Sequence, residues 1–205
     1  MSPRTKEQNE QIREQRKQQI AEAAAVVYLN KGMQMEVRDV ALQAGFGYGT
    51  VYHYYKNKLE LLDELLWSAL NNAKKVRDEA LLSLPRTDHG SGLLRLRRYS
   101  QALLREWLVS PSLFILYKLA ADNFHGIGDN RYDALADQFQ SELYRPVVLE
   151  LQGAFGEKAA EKWANMLIGA WVGCAGVHIL HGHQETELCD MADAIMDGMV
   201  GKAGG

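Results

Sequence analysis

Apolar residues recur every three or four positions along most of this chain, and nowhere do they alternate with polar ones over the length of a strand. The pattern predicts helices throughout and no sheet. The first helix is expected from about Asn9 to Lys31, with Ile20, Ala23, Ala24, Val27 and Tyr28 on its buried face and Gly32 as a left-handed cap. A short helix from Val37 to Ala44 buries Val40 and Ala41. Gly45 closes it, Phe46 and Gly47 turn the chain, and a second short helix runs from Tyr48 to Tyr55. Two short helices around a glycine-containing turn form a helix-turn-helix pattern. Asn57-Lys58-Leu59-Glu60 then reads as a capping box that opens a long helix reaching about Leu82.

Beyond it, Ser83 to Gly92 is rich in turn formers and reads as a loop. Helices are expected at Leu93 to Val109 and Ser112 to Phe124, separated by Pro111. After a loop from His125 to Asn130 come Arg131 to Ala154, bent where Pro146 removes a donor, then Lys158 to His181, and last Leu188 to Val200. The expected fold is all-α with about nine helices: an N-terminal three-helix unit containing the helix-turn-helix, followed by a larger helical body.

Composition sharpens this picture. With 205 residues, 47% of them hydrophobic, the chain can bury a sizeable core. No apolar run reaches the ~18 residues of a membrane span, and the polar start lacks the apolar stretch of a secretion signal, so the cytoplasm is the expected compartment. Cys174 and Cys189 are too few for a disulfide scaffold and read as reduced. The net charge of -3 conceals a division: residues 1–58 carry nine Lys/Arg against six Asp/Glu, or +3, and residues 59–205 carry fourteen against twenty, or -6. A basic head on an acidic body points to a polyanionic partner at one end.

In the second short helix Val51 and Tyr55 lie four apart on one face, while Thr50, Tyr52, His53 and Tyr54 fall elsewhere, so one side packs and the other is available to read. Gly49 allows close approach to a groove wall, and the free N–H groups at the start of that helix favour phosphate. Thr50 and Tyr52 are neutral donors suited to fixing register on phosphates, and Lys58 adds charge at the next helix start. The run Val37-Arg38-Asp39-Val40-Ala41, then Ala44-Gly45-Phe46-Gly47-Tyr48-Gly49-Thr50-Val51-Tyr52-His53-Tyr54-Tyr55-Lys56-Asn57-Lys58, resembles the tetracycline-repressor (TetR) family, over about Ile20 to Leu66. The resemblance implies a DNA-binding domain at residues 1–57 and a regulatory, ligand-binding and dimerisation domain at 58–205. It also implies DNA contacts at Arg38, Tyr48, Gly49, Thr50, Tyr52, His53, Tyr54 and Lys58. Arg38 and Tyr48 are the base-edge candidates, since an Arg can bond guanine bidentately; the alternative for Arg38 is a solvated charge beside Asp39, and for each tyrosine a place in the core, which is preferred for Tyr55.

Three positions depart from the family pattern. Glu36 stands where a Ser or Thr is usual, and its carboxylate would repel a phosphate; Gly47 replaces a Ser, and Phe46 a smaller aliphatic residue. The basic N-terminal residues Arg4, Lys6, Arg13, Arg16 and Lys17 could contact phosphate, but alternate with Glu7, Glu10 and Glu14 in the manner of an exposed, salt-bridged helix.

In the body, Gly169, Gly173 and Gly176 with Ala170 and Ala175 give one helix a small-residue face, and Leu188, Met191, Ala192, Ile195, Met196 and Met199 give the last an apolar stripe. The resemblance implies that these two helices form a four-helix bundle with a second subunit; a core stripe within one chain is the alternative. Trp67, Tyr99, Trp107, Phe114, Tyr117, Phe124, Trp163 and Trp171 make the middle aromatic. The family's small-molecule effector site is expected there, with Tyr99, Ser100, Trp107, Tyr117, Asn123, Trp171 and His178 as candidates. Cys174, His178 and His181 share one helical face near His183, Glu185 and Cys189, a metal-ligand spacing that packing and the helix dipole also explain. No metal and no cofactor are therefore expected. The function expected is a dimeric, effector-released repressor on a pseudo-palindromic operator. A regulator with a protein partner and no effector is the alternative, and a helical metal-dependent enzyme finds no compact catalytic constellation to support it.

Overall fold

The computed structural model describes residues 5–82, 91–127, 130–181 and 185–203. Among them every regular element is helical: α1 Lys6–Lys31, α2 Val37–Ala44, α3 Tyr48–Tyr54, α4 Lys58–Leu82, α5 Ser91–Val109, α6 Pro111–Ala121, α7 Asp133–Phe139, α8 Arg145–Phe155, α9 Glu157–His181 and α10 Glu185–Ala203. Packing divides the chain into two compact units at Ser68/Ala69, a point that falls inside α4.

In the first unit α1 starts three residues before the expected position. Thr5 caps it through a reciprocal box, its hydroxyl accepting the Gln8 N–H at 3.2 Å while the Gln8 side chain accepts the Thr5 N–H at 3.1 Å. Gly32 has φ 56° but ψ -138°, a positive-φ turn into a short 3-10 segment and not the left-handed cap expected. Ile20, Ala23, Ala24 and Val27 of α1, Val37, Val40 and Ala41 of α2, and Val51 of α3 are buried together with Leu61, Leu62, Leu65 and Leu66 of α4. Each large aliphatic side chain so removed from water contributes ~1.5–3 kcal/mol, which is what holds the two short helices α2 and α3 against α1 and the start of α4.

The second unit is organised around α5, which packs against α6, α8, α9 and α10. Its Leu96, Tyr99, Leu103 and Trp107, at helical spacing, are fully buried. Gly92 lets α5 approach α8: a Cβ there would sit 2.3 Å from the Glu150 carbonyl oxygen. Beside it a buried ion pair joins the same helices, Arg95 Nε standing 2.9 Å from Glu150 Oε2.

Three expectations for this unit are corrected. The helix expected over Ser112 to Phe124 stops at Ala121, because Asn123 and Phe124 adopt φ 48° and 58° and the Phe124 N–H turns back to the Leu119 carbonyl at 2.8 Å. The single bent helix expected over Arg131 to Ala154 is a 3-10 turn, then α7, then a π turn at Gln140–Tyr144 leading into α8. Pro146 has no N–H for the Glu142 carbonyl, and its ring crowds that carbonyl in a regular helix, so the backbone widens by one residue before it. The Arg77 guanidinium of α4 donates to the Glu142 carbonyl instead. Finally, the stripe on α10 is largely internal. Leu188, Ala192, Met196 and Met199 are buried within the chain, where α10 packs on α5 and α9, and only Met191 and Ile195 of the six are half-exposed.

Candidate nucleic-acid interface

The turn between α2 and α3 is built by Gly45, at φ 70° and ψ 23°, a left-handed conformation in which a side chain would be strained. Phe46 N–H donates to the Ala41 carbonyl at 3.0 Å and Gly45 N–H to the Leu42 carbonyl at 3.2 Å, so the carbonyls left over at the end of α2 are satisfied as the chain reverses. Gly47 caps α3 with its backbone alone, its carbonyl accepting the Thr50 N–H at 2.9 Å. At the far end Asn57 Oδ1 accepts from Leu59 and Glu60 N–H at 2.9 and 3.0 Å. The Glu60 carboxylate reaches one residue further back than an ordinary capping box, to the Lys56 N–H at 2.8 Å.

This framework sorts the side chains. Val51 and Tyr55 go inward; Tyr55 is 2% exposed, and burial, with the Glu64 carboxylate next in effect, pushes its phenol pKa up. Arg38, Leu42, Tyr48, Gly49, Tyr52, His53 and Lys56 are exposed, and Thr50 and Tyr54 are half-buried. The rings of Tyr48 and Tyr52 stack with centroids 5.6 Å apart, and Lys56 Nζ lies 5.1 Å over the Tyr52 ring while donating to the Tyr52 carbonyl at 3.2 Å. His53 meets Tyr54 edge-on at 5.6 Å. A row of aromatic groups thus runs along the open side of α3 and ends on the Lys56 ammonium just beyond it.

Lys56 and Leu42 belong to this surface although neither is among the expected contacts. Leu42 follows Arg38 by four residues within α2, so helical spacing could have found it, whereas Lys56 lies two residues beyond the end of α3. Leu42 is 84% exposed, more than any other large apolar side chain described. The Lys58 ammonium donates to the Met33 carbonyl and ties the start of α4 to the segment before α2. An open cleft of about 540 Å³ is lined by Glu36, Val37, Arg38, Tyr48 and Lys58. Along its edge Arg38 Nε pairs with Glu36 Oε2 at 3.0 Å. Asp39 accepts the Glu36 N–H at 3.0 Å and pairs with Lys31 at 2.8 Å, and that lysine followed by the Glu36 N–H holds its carboxyl below the ordinary value.

Residues 20–65 match the model of the bacterial regulatory proteins of the tetR family. Over this segment the chain matches the TetR family. The uncharacterized HTH-type transcriptional regulator YhgD of Bacillus subtilis (strain 168) is 40% identical over 67 residues, which is 32% of this chain and 35% of that protein, so the likeness to it spans about a third of its length. The whole fold is shared more widely. A TetR-like transcriptional regulator from Rhodococcus sp. RHA1 is 18% identical with a TM-score of 0.66, covering 88% of this chain and 93% of its own. The fatty acid degradation regulator FadR from Bacillus halodurans is 16% identical with a TM-score of 0.64, covering 89% and 95%. The matched segment is thus that of bacterial regulatory proteins and not of an enzyme.

Of the effector candidates, the second unit brings five together. Tyr99 and Tyr117 hydroxyls share a hydrogen bond, the Trp171 indole N–H donates to Ser100 Oγ at 3.0 Å, and Ser100 donates on to the Leu96 carbonyl at 2.8 Å. Trp107 lies between Phe114 and Tyr117, with centroids 5.6 and 5.1 Å away. Burial drives the Tyr99 hydroxyl up to about 12 and raises Tyr117 as well. The indole N–H of Trp107 is buried and meets no acceptor among the described residues. Asn123 stands outside this group, exposed in the left-handed turn after α6; His178 is buried on α9, seven residues beyond Trp171. Cys174 is half-buried, its thiol raised by desolvation, whereas His183 and the side chains of His181, Glu185 and Cys189 lie outside the described residues. Among those described, no three His, Cys, Asp or Glu converge as metal ligands, and no helix is long and apolar enough to cross a membrane.

Proposed function

We propose that this chain is a transcriptional repressor that binds a pseudo-palindromic DNA operator as a homodimer and is released by a small-molecule effector. The observation that carries the DNA-binding reading is the open row of Arg38, Leu42, Tyr48, Tyr52 and Lys56 over a fully buried Val51 and Tyr55. These are the chemistries a major groove demands: a guanidinium for a guanine edge, aromatic and aliphatic carbon for thymine methyls, and an ammonium for phosphate. Gly49, Thr50, His53 and Tyr54 complete the surface, and Lys58 serves it by fixing the start of α4.

The dimer reading rests on α9. Met166 and Val177 are 53% and 52% exposed, and a Cβ on Gly169 or Gly173 between them would meet nothing. A second copy of the same helix can press against such a face. The effector reading rests on the aromatic cluster of the second unit, where the Trp107 N–H offers a buried donor that a ligand acceptor would satisfy.

The full chain should select one duplex from a random library, with an affinity that falls as salt rises. Lys56→Ala should lower the salt slope by about 0.9, the share of a single neutralised phosphate, and Arg38→Ala should cost about 1–3 kcal/mol at one base pair. Equal affinity for selected and random duplexes would refute DNA reading. Gly173→Arg should turn a sedimenting dimer into a monomer. Any ligand that raises the melting temperature must bind less tightly to the operator complex than to the free protein, because coupling is reciprocal.

A further inference from the structure

We infer that Glu36 is a positioning residue for Arg38, setting the guanidinium to read a base and withdrawing its charge from the phosphates. The inference deepens the proposed DNA reading and rests on it. Arg38 lies in the first turn of α2 and is 73% exposed, so packing does not hold its side chain in one direction. What anchors it is the Glu36 carboxylate, 3.0 Å from Nε. A guanidinium has five N–H donors in a rigid fork. Engaging Nε on one edge leaves the terminal Nη edge directed away from the carboxylate, and that edge supplies the two parallel donors that guanine O6 and N7 accept. The backbone that carries Glu36 is fixed: its N–H is bonded to Asp39, and Asp39 is clamped by Lys31. The four side chains Lys31, Glu36, Arg38 and Asp39 sum to no net charge.

That arrangement answers the difficulty raised by a carboxylate at the start of α2. Unpaired, Glu36 would repel the DNA backbone. Paired, it cancels one cation, so the segment has little attraction for phosphate and Arg38 contributes through hydrogen-bond geometry. An exposed ion pair is weak in water, where salt screens it. Once a groove wall excludes water the same pair acts in a lower dielectric, where it strengthens and holds the fork more firmly.

The decisive comparison uses the full chain and three variants, Glu36→Ser, Arg38→Ala and the two combined. Each is assayed by anisotropy on the library-selected duplex, on single-base-pair changes within it, and on random duplex over a salt series. Serine remains a good helix cap, so α2 is retained. Glu36→Ser should raise affinity for random DNA and steepen the salt slope by about 0.9, as the Arg38 charge becomes available to a phosphate. It should lower discrimination roughly tenfold at the base pair whose readout Arg38→Ala abolishes, that being the scale of one good bidentate contact. In the Arg38→Ala background, Glu36→Ser should change discrimination no further. If Glu36→Ser raises affinity on all duplexes equally and keeps full discrimination, the carboxylate merely repels DNA and the positioning role is overturned while the DNA reading stands. If the parent chain itself shows no preference for any duplex, both fall together.

Discussion

Adding one methyl group to Gly92 tests how tightly α5 and α8 are joined. The alanine Cβ would lie 2.3 Å from the Glu150 carbonyl oxygen, 3.2 Å from its carbon and 3.3 Å from Oε2. The first of these is far inside ordinary contact, and the offending atom is backbone, which cannot swing aside. The helices must separate by about an ångström, or the first turn of α5 must unwind; overpacking of this kind costs about 1–3 kcal/mol. Separation also stretches the buried Arg95–Glu150 pair, which stands at 2.9 Å. Against this, replacing glycine by alanine inside a helix gains at most ~1 kcal/mol, and less in a first turn. Packing should win, with a net loss on the order of 2 kcal/mol. For a domain of this size each kcal/mol lowers the midpoint by about 2–4 °C, so a fall of about 4–8 °C is expected. The assay is thermal and urea unfolding at fixed protomer concentration, since association would otherwise shift the midpoint. Gly198→Ala on α10, where a Cβ meets nothing within 4 Å, is the control and should change stability slightly upward. A Gly92→Ala chain as stable as its parent would refute the close approach.

Arg77→Met should destabilise the second unit by about 1–3 kcal/mol, because the Glu142 carbonyl loses the donor that stands in for the one Pro146 lacks. In a Pro146→Ala background the loss should shrink by at least ~0.5 kcal/mol, since residue 146 can then donate; additive losses in urea titrations would disprove the compensation. Asp39→Asn should be destabilising at neutral pH. The parent's carboxyl is held below its ordinary value of 3.8, first by its bond to Lys31, so the stabilisation is full above that value and lost as pH falls through the lowered one. The stability curves of Asp39→Asn and parent should therefore converge in acid, and a constant gap from pH 7 to pH 2 (about the lower limit of carboxylate titration) would contradict the assignment.

How far the sequence reveals this molecule depends on whether a residue's role is local. The α2 boundaries are legible because Gly45 stops the helix by backbone conformation alone, and the inward Val51 and Tyr55 follow from spacing. The exposed faces of α2 and α3 are legible for the same reason, Leu42 included, whereas Lys56 lies beyond the helix whose spacing would have placed it. The features that escape depend on distant partners. Asn123 is a residue type that tolerates the left-handed region, but Phe124 is not, and its turn is fixed by the bond back to Leu119 and by packing against Phe139. The bond from the Lys58 ammonium to the Met33 carbonyl escapes because 25 residues separate the two. The α10 stripe has the same pattern whether its partner is α5 or a second subunit, so periodicity does not decide between them.

The π turn leaves a trace that periodicity does carry. Leu135, Phe139, Leu143 and Val147 are all buried at strict four-residue spacing. In a regular helix, with ~100° per residue, each such step drifts about 40° around the axis, and three steps would carry Val147 about 120° off the face. The widened turn absorbs one residue and restores the phase. This rod is therefore one residue longer than its buried face requires. Deleting Ser141 would change the spacing to four, three and four, which keeps all four side chains within about 30° of one line. Length and orientation are separable here: such a deletion draws α8 back by about 1.5 Å along its axis without rotating it. Pro146 is what opposes that exchange, because in an uninterrupted helix its ring meets the Glu142 carbonyl at a cost of about 3 kcal/mol. The shorter rod thus becomes accessible to this sequence only when the proline is replaced as well.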